Sequence, residues 1–219
     1  MKQLRLKALA SFVNEEDSVL DVGTDHGYLP VCLRKQYPQM DIGASDVAEG
    51  PLKKCAETFA KYRIEDIPVY LSDGLKDIPK PYSCVIIAGM GGQTIRKILQ
   101  EGAEYLQHVE KLIIEPNSEP EKARKAIREA GYRIQSESMI KEYKYYVLIE
   151  AQKCEEAPEY TEDEYVYGPC LMKEKPAIYR EYLEKEYNKT VKVLEKLSIH
   201  HPDRPALTEK CRKIRGILD

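Results

Sequence analysis

A mostly parallel, Rossmann-like α/β sheet closed by an antiparallel hairpin, followed by a small α-helical, coiled-coil-like hairpin, is the architecture that the 219 residues predict. Three observations carry it. Short apolar runs alternate with amphipathic stretches from residue 19 to residue 130, the pattern of a layered β/α fold. Two strand-like runs, Tyr132 to Ile140 and Tyr143 to Gln152, then follow each other across a short polar turn. Further on, Leu183, Tyr187, Thr190, Leu194 and Leu197 fall at alternating four- and three-residue spacings, as do Leu207, Cys211, Ile214 and Leu218. The predicted division is 1–158 for the sheet domain and 159–219 for the helical hairpin.

Leu6, Leu9, Ala10 and Val13 share a helix face, with Lys2, Arg5 and Lys7 on the others, so the chain opens on an amphipathic helix. Ser18 to Pro30, S-V-L-D-V-G-T-D-H-G-Y-L-P, reads as strand, glycine-bearing turn and helix. Gly23 lets the backbone bend and approach a ligand, and Gly27 can take a positive φ before the helix. Asp21, at the strand's end, can hold a polar or cationic group. A dinucleotide fingerprint would need glycine where Asp25 stands, and a carboxylate there would face a pyrophosphate. A positively charged cofactor such as S-adenosylmethionine suits that acid instead; two ordinary turn glycines are the competing reading.

Asp41 to Asp46 is the second strand, and Asp46 lies nineteen residues beyond Gly27, where ribose-binding acids of such folds sit. It could equally cap the helix Pro51 to Tyr62. After the third strand, Ile67 to Leu71, come Ser72, Asp73 and Gly74, either a contact to an adenine edge or a plain turn. The strand Ser83 to Ala88 is apolar throughout, and Gly89, Met90, Gly91 and Gly92 open the next helix from Gln93. Lys111 to Glu115 is the fifth strand. Asn117, just after it, can read a nucleobase edge or cap the helix Glu121 to Ala130. Glu155 to Glu164, acidic and without apolar periodicity, is read as a linker, and H-H-P-D-R-P separates the two hairpin helices.

With 42% hydrophobic and 32% charged residues the chain is neither disordered nor membrane-embedded; without a spanning run or a signal core it is placed in the cytoplasm. Six scattered cysteines read as reduced packing residues, and the histidines lack metal-ligand spacing, so no metal is expected. Residues 171–219 hold twelve Lys plus Arg against eight Asp plus Glu, although the whole chain is at −3. That basic tail fits an anionic partner or a solvated helical surface.

Five β/α steps closed by a hairpin are the layout of class I methyltransferases. The motifs together resemble the bacterial tRNA (adenine22-N1)-methyltransferases along nearly the whole chain: Arg5-Leu6, D-V-G-T-D-H-G-Y-L-P at 21–30, E-G-P at 49–51, D-G-L at 73–75, I-A-G-M-G-G at 87–92, E-P-N at 115–117 and G-P-C-L-M-K-E-K at 168–175. The family usually has Ala at the position of Gly27, a change that looks sterically harmless, and Gln at that of Glu115, where a possible charge replaces an amide. The resemblance implies S-adenosylmethionine as cofactor, tRNA as partner with adenine 22 as target, no membrane, and a monomer or weak homodimer. It also implies a site: Asp21, Gly23, Thr24, His26, Gly27, Asp46, Ser72, Asp73, Gly74, Ala88, Gly89, Met90 and Gly91 toward the cofactor, and Arg5, Lys173, Lys175 and Arg180 toward RNA. In the chemistry, Asp25 would stabilise growing positive charge or bind the cofactor's amino group, Tyr28 would stack on the turned-out adenine, and Asn117 would read its edge. An NAD-type oxidoreductase and a non-catalytic RNA-binding scaffold are the rival readings.

Overall fold

The structure, a computed structural model, describes residues 3–219; Lys2 of the first helix lies outside them. The chain divides into two compact units, Met1–Glu159 and Tyr160–Asp219.

The first unit holds a seven-stranded sheet in the order β3-β2-β1-β4-β5-β7-β6. Its strands are β1 (Val19–Val22), β2 (Ile42–Asp46), β3 (Val69–Leu71), β4 (Cys84–Gly91), β5 (Lys111–Ser118), β6 (Tyr132–Lys141) and β7 (Tyr145–Lys153). The first five run parallel, and β7 pairs antiparallel with both β5 and β6. All of β1 and residues 84–87 of β4 are buried, as strands covered on both faces must be. Helices α1 (Gln3–Ala10), α2 (Tyr28–Gln36), α3 (Glu49–Tyr62), α4 (Gly92–Glu101) and α5 (Pro120–Glu129) alternate with the strands. Leu9 and Ala10 of α1, Leu29 and Leu33 of α2, and Cys55 and Phe59 of α3 join Val19, Ile42 and Ile86 of the sheet in one core cluster. From β1 the chain steps outward through β2 to β3, then returns to the opposite side of β1 with β4. That reversal leaves a crevice above the carboxyl ends of β1 and β4.

Several boundaries differ from the sequence reading; β5 runs past Glu115 to Ser118, so Asn117, read as following the strand, lies within it. Strand β4 continues through the glycines to Gly91, paired with β5 as far as Ser118. The register shifts around Gly89, whose φ of 81° lets the strand bulge and keep pairing instead of breaking into a loop. The predicted third strand shrinks to Val69–Leu71.

In the second unit, α6 (Glu162–Tyr167) and α7 (Pro169–Glu174) precede the long pair α8 (Ala177–Lys196) and α9 (Arg204–Leu218). The acidic stretch read as a linker therefore ends inside a helix. Thr161 and Glu164 cap α6 reciprocally, and Glu162, Asp163 and Glu164 sit in its first turn, where the helix dipole favours acids. At the bend after α8, Arg204 Nη1 donates to the Leu194 and Leu197 carbonyls at 2.9 and 3.0 Å. Tyr179, Leu183, Thr190, Ile214 and Ile217 form the buried face of these helices.

Candidate active site

Local backbone geometry at the end of β1 creates the first wall. Gly23, Asp25 and Gly27 have φ of 74°, 51° and 70°, three left-handed residues in five. For Asp25 this is a conformation most side chains avoid, and its backbone N–H is held by Asp46 Oδ2 at 3.2 Å. The amides of Gly23 and Thr24 both donate to the Ser45 carbonyl, at 2.8 and 2.9 Å, which fastens the turn to β2. Thr24 is buried, and its hydroxyl donates to Asp21 Oδ2 at 2.7 Å. Burial drives the Asp21 carboxyl from 3.8 up to about 7; the Thr24 hydrogen bond opposes this and the Asp46 carboxylate adds to it. A Cβ on Gly27 would stand 2.6 Å from Cys55 Sγ and 2.9 Å from Phe59 Cε1. Glycine there is thus favoured in this chain by a positive φ and by the seat of the turn on α3, and alanine is not an equivalent.

The second wall comes from β4 and β5. Asn117 Nδ2 donates to the Gly89 carbonyl at 2.6 Å, and its Oδ1 accepts from Lys144 Nζ at 3.1 Å. Arg5 reaches the same place from α1, its Nη2 lying 2.6 Å from Oε2 of the fully buried Glu115. Between the walls lies a cavity of about 530 Å³. It is lined by the predicted residues Gly23, Asp25, Asp46, Ser72, Asp73, Gly74, Ala88, Gly89, Met90 and Asn117. Arg5 lines it too, half-buried and paired with Glu115, although the resemblance placed it toward RNA.

The remaining predicted residues lie outside that lining. Asp21 and Thr24 are buried at the end of β1 and hydrogen-bonded to each other, Gly27 precedes α2, and Gly91 ends β4. The His26 and Tyr28 rings stack on each other with centroids 5.7 Å apart, and Tyr28 is exposed. Asp46 Oδ1 also accepts from the Ala48 amide at 3.2 Å, so the acid organises the start of α3 while facing the cavity. Ser72 is buried, with its hydroxyl donating to the Gly74 carbonyl and accepting from the Asp77 amide, the bonds of a turn. In the second unit Lys173 is an exposed residue of α7's last turn and Lys175 ends that helix with φ 46°. Arg180 is spent on backbone carbonyls, those of Lys175 and Leu218, at 3.1 and 3.0 Å.

Sequence reasoning missed Val22, Val47, Thr94, Lys97, Ile98 and Glu101, which also line the cavity. Val22 and Val47 directly follow residues that were singled out, and an apolar residue beside each strand-end acid was the available signal. Nothing local marks those on α4, a helix whose first residue, Gly92, packs so closely under the Glu119 carbonyl that a Cβ there would lie 2.1 Å from it. Among the described residues no cluster of His, Cys, Asp and Glu is placed to hold a metal, and no helix is long and apolar enough to cross a membrane.

A seven-stranded sheet in this order, with acids at the tips of its first two parallel strands and a cavity over the switch point, defines a class I S-adenosylmethionine-dependent methyltransferase. The family model for tRNA (adenine(22)-N(1))-methyltransferase matches residues 19–216, and the chain belongs to that family. It is 28% identical over 201 residues to the tRNA (adenine(22)-N(1))-methyltransferase of Bacillus subtilis, covering 89% of this chain and 84% of the relative. A solved structure of a candidate tRNA (m1A22) methyltransferase from Streptococcus pneumoniae superposes over the whole of both chains with a TM-score of 0.92 at 31% identity. The same Streptococcus protein in complex with S-adenosyl-L-methionine superposes with a TM-score of 0.88 at 32% identity.

Proposed function

We propose that the cavity binds S-adenosylmethionine and presents its methyl group to N1 of adenine 22 of a bacterial tRNA in the cytoplasm, with Asp46 on the ribose and Asp21 and Asp25 toward the cationic end. The observation that carries this reading is the convergence of Asp25, Asp46, Gly89 and Asn117 on one cavity of about 530 Å³. The residues fit such a ligand. Asp21 is buried with its carboxyl near 7, a group that gains most from a neighbouring cation. Val22, Val47 and Ile98 offer apolar surface to an adenosyl group.

When bound, the sulfonium supplies an electrophilic methyl, which passes to the N1 lone pair while the bonding pair stays on sulfur. Adenine N1 carries that pair in the ring plane, so no strong base is needed, and alignment of the reacting atoms can contribute up to ~7–11 kcal/mol in favourable cases. The alkylated ring is cationic. Asp25, held in a left-handed turn at the cavity wall, stabilises that charge or the cofactor's ammonium. Asn117 keeps one Nδ2 hydrogen and one Oδ1 lone pair beyond its bonds to Gly89 and Lys144, enough to read an adenine edge. Tyr28, exposed beside the turn, stacks on the turned-out base, a contact worth ~1–3 kcal/mol. Lys173 and Lys175 supply charge toward the tRNA backbone from the second unit.

The test is transfer of labelled methyl from S-adenosylmethionine to unmodified tRNA, with the modified nucleoside mapped. Label at N1 of adenine 22 is the expected result. Absence of label from every tRNA, with cofactor still bound, overturns it.

A further inference from the structure

An ion pair between half-buried Arg5 and fully buried Glu115 closes the β4–β5 end of the cavity, and the chemistry above leaves it unused. Glu115 has no exposed surface, and its carboxylate lies 2.6 Å from the Arg5 guanidinium, with the Gly89 backbone and Lys144 also favouring its charged form. Arg5 lies over Gly89, where an added Cβ would stand 2.9 Å from Nη2, and its guanidinium faces the Tyr146 ring at 5.0 Å. The other charged and titratable groups around the pair are Lys144, Tyr143 and Tyr146 of the β6–β7 hairpin, and Glu142, whose Oε1 accepts the Arg5 backbone N–H at 3.3 Å. Arg5 lines the cavity itself, with Asp25 and Asp46 on the opposite wall.

We propose that the Arg5–Glu115 pair sets the charge at this end of the cavity and so discriminates the cationic sulfonium cofactor from its neutral thioether product. The inference rests on the reading of the cavity as an S-adenosylmethionine site. An ionised Glu115 cancels the guanidinium and the sulfonium is accepted. A protonated Glu115 leaves the guanidinium bare, and two cations then share a poorly solvated space. Burial pushes the Glu115 carboxyl from 4.5 up to about 7, against the opposing pull of Arg5, so the exchange falls near neutral pH. Below that point the cavity is more positive and sulfonium binding weakens. S-adenosylhomocysteine has the same adenosyl, ammonium and carboxylate groups without the sulfonium charge, so it reports every other effect of pH, including titration of Asp21 against the ammonium.

The experiment is calorimetric titration of the full chain with S-adenosylmethionine and with S-adenosylhomocysteine at about pH 8 and about pH 6. In the wild type the ratio of the two affinities is expected to move about tenfold against the sulfonium at the lower pH. Glu115→Gln, uncharged throughout, is expected to show the low ratio at both pH values. Arg5→Met, with no guanidinium to expose, is expected to keep the high ratio at both. A flat wild-type ratio overturns the inference, as does a pH slope that survives in Glu115→Gln or in Arg5→Met, either variant sufficing if the other does not fold. Failure of both ligands to bind at either pH instead removes the cofactor reading itself, and this inference with it.

Discussion

At the β1–β2 end of the cavity three carboxylates, Asp21, Asp25 and Asp46, gather around one turn within twenty-six residues of chain. At the β4–β5 end, Arg5, Gly89, Glu115, Asn117 and Lys144 meet from a helix, two strands and a hairpin turn. The acidic end is built by backbone conformation: left-handed residues turn the chain, and two amides on one carbonyl fix it to β2. The mixed-charge end is built by side chains laid over a bulged strand, where Gly89 leaves space for a guanidinium. On the proposed function, the difference teaches that local backbone conformation provides the place for a cation, whereas the surroundings of the incoming base depend on long-range packing. Substitutions at the first end should therefore act on the cofactor, and at the second end substitution of Asn117 should act on the reaction, while the Arg5–Glu115 pair tunes the cofactor's charge.

The largest expected effect is at Asp46. Asp46→Ala removes hydrogen bonds to a charged acceptor worth ~1.5–3 kcal/mol each, so S-adenosylmethionine affinity should fall about 100-fold by calorimetry. Unchanged tRNA retention in a gel-shift assay would keep the loss at the cofactor.

Asp21→Asn comes next, and its readout is stability. The folded carboxyl titrates at about 7 against an ordinary 3.8, so between those values the folded state holds a proton that the unfolded chain has released. The stabilisation from that proton is complete below about pH 4 and is lost as pH rises through 7. Without ligand, Asp21→Asn should be clearly more stable than wild type at pH 8 and nearly equal to it at pH 4, measured by urea denaturation. Equal stability at both pH values would mean that the buried acid is not strained.

At the other end, Asn117→Ala should lower kcat for methyl transfer about tenfold while the S-adenosylmethionine Kd stays within about twofold, the signature of an interaction on the acceptor side. A loss of cofactor affinity would break the proposed division of the cavity. The smallest effect is at Gly27: Gly27→Ala forces a side chain into a left-handed position against Cys55 and Phe59, and should cost about 1 kcal/mol in thermal unfolding.

Much of the acidic end was legible because its signals are local. A strand, a glycine turn and a helix follow one another in thirteen residues, and Asp46 stands at a fixed distance beyond. Asn117 was legible too, as a polar residue after an apolar run, although β5 continues through it to Ser118. Arg5 was not. The resemblance placed it toward RNA, and its partner Glu115 is supplied only when α1 packs against the sheet. The continuation of β4 was hidden too, since three glycines in four residues signal a loop unless a neighbouring strand offers hydrogen bonds, as β5 does. Likewise the end of the acidic stretch had no apolar period, yet became helix through a reciprocal cap.

By itself the sequence determined the alternation of strands and helices, the turn after β1, the acids at the strand ends and the family, because periodicity, glycine conformation and capping act over a few residues. Only the tertiary structure decided which side chains share the cavity, that Arg5 is neutralised by a buried acid, and that Gly27 has no room for a methyl group. Those outcomes depend on the distance between groups far apart in the chain, and burial decides how strongly the charged ones interact.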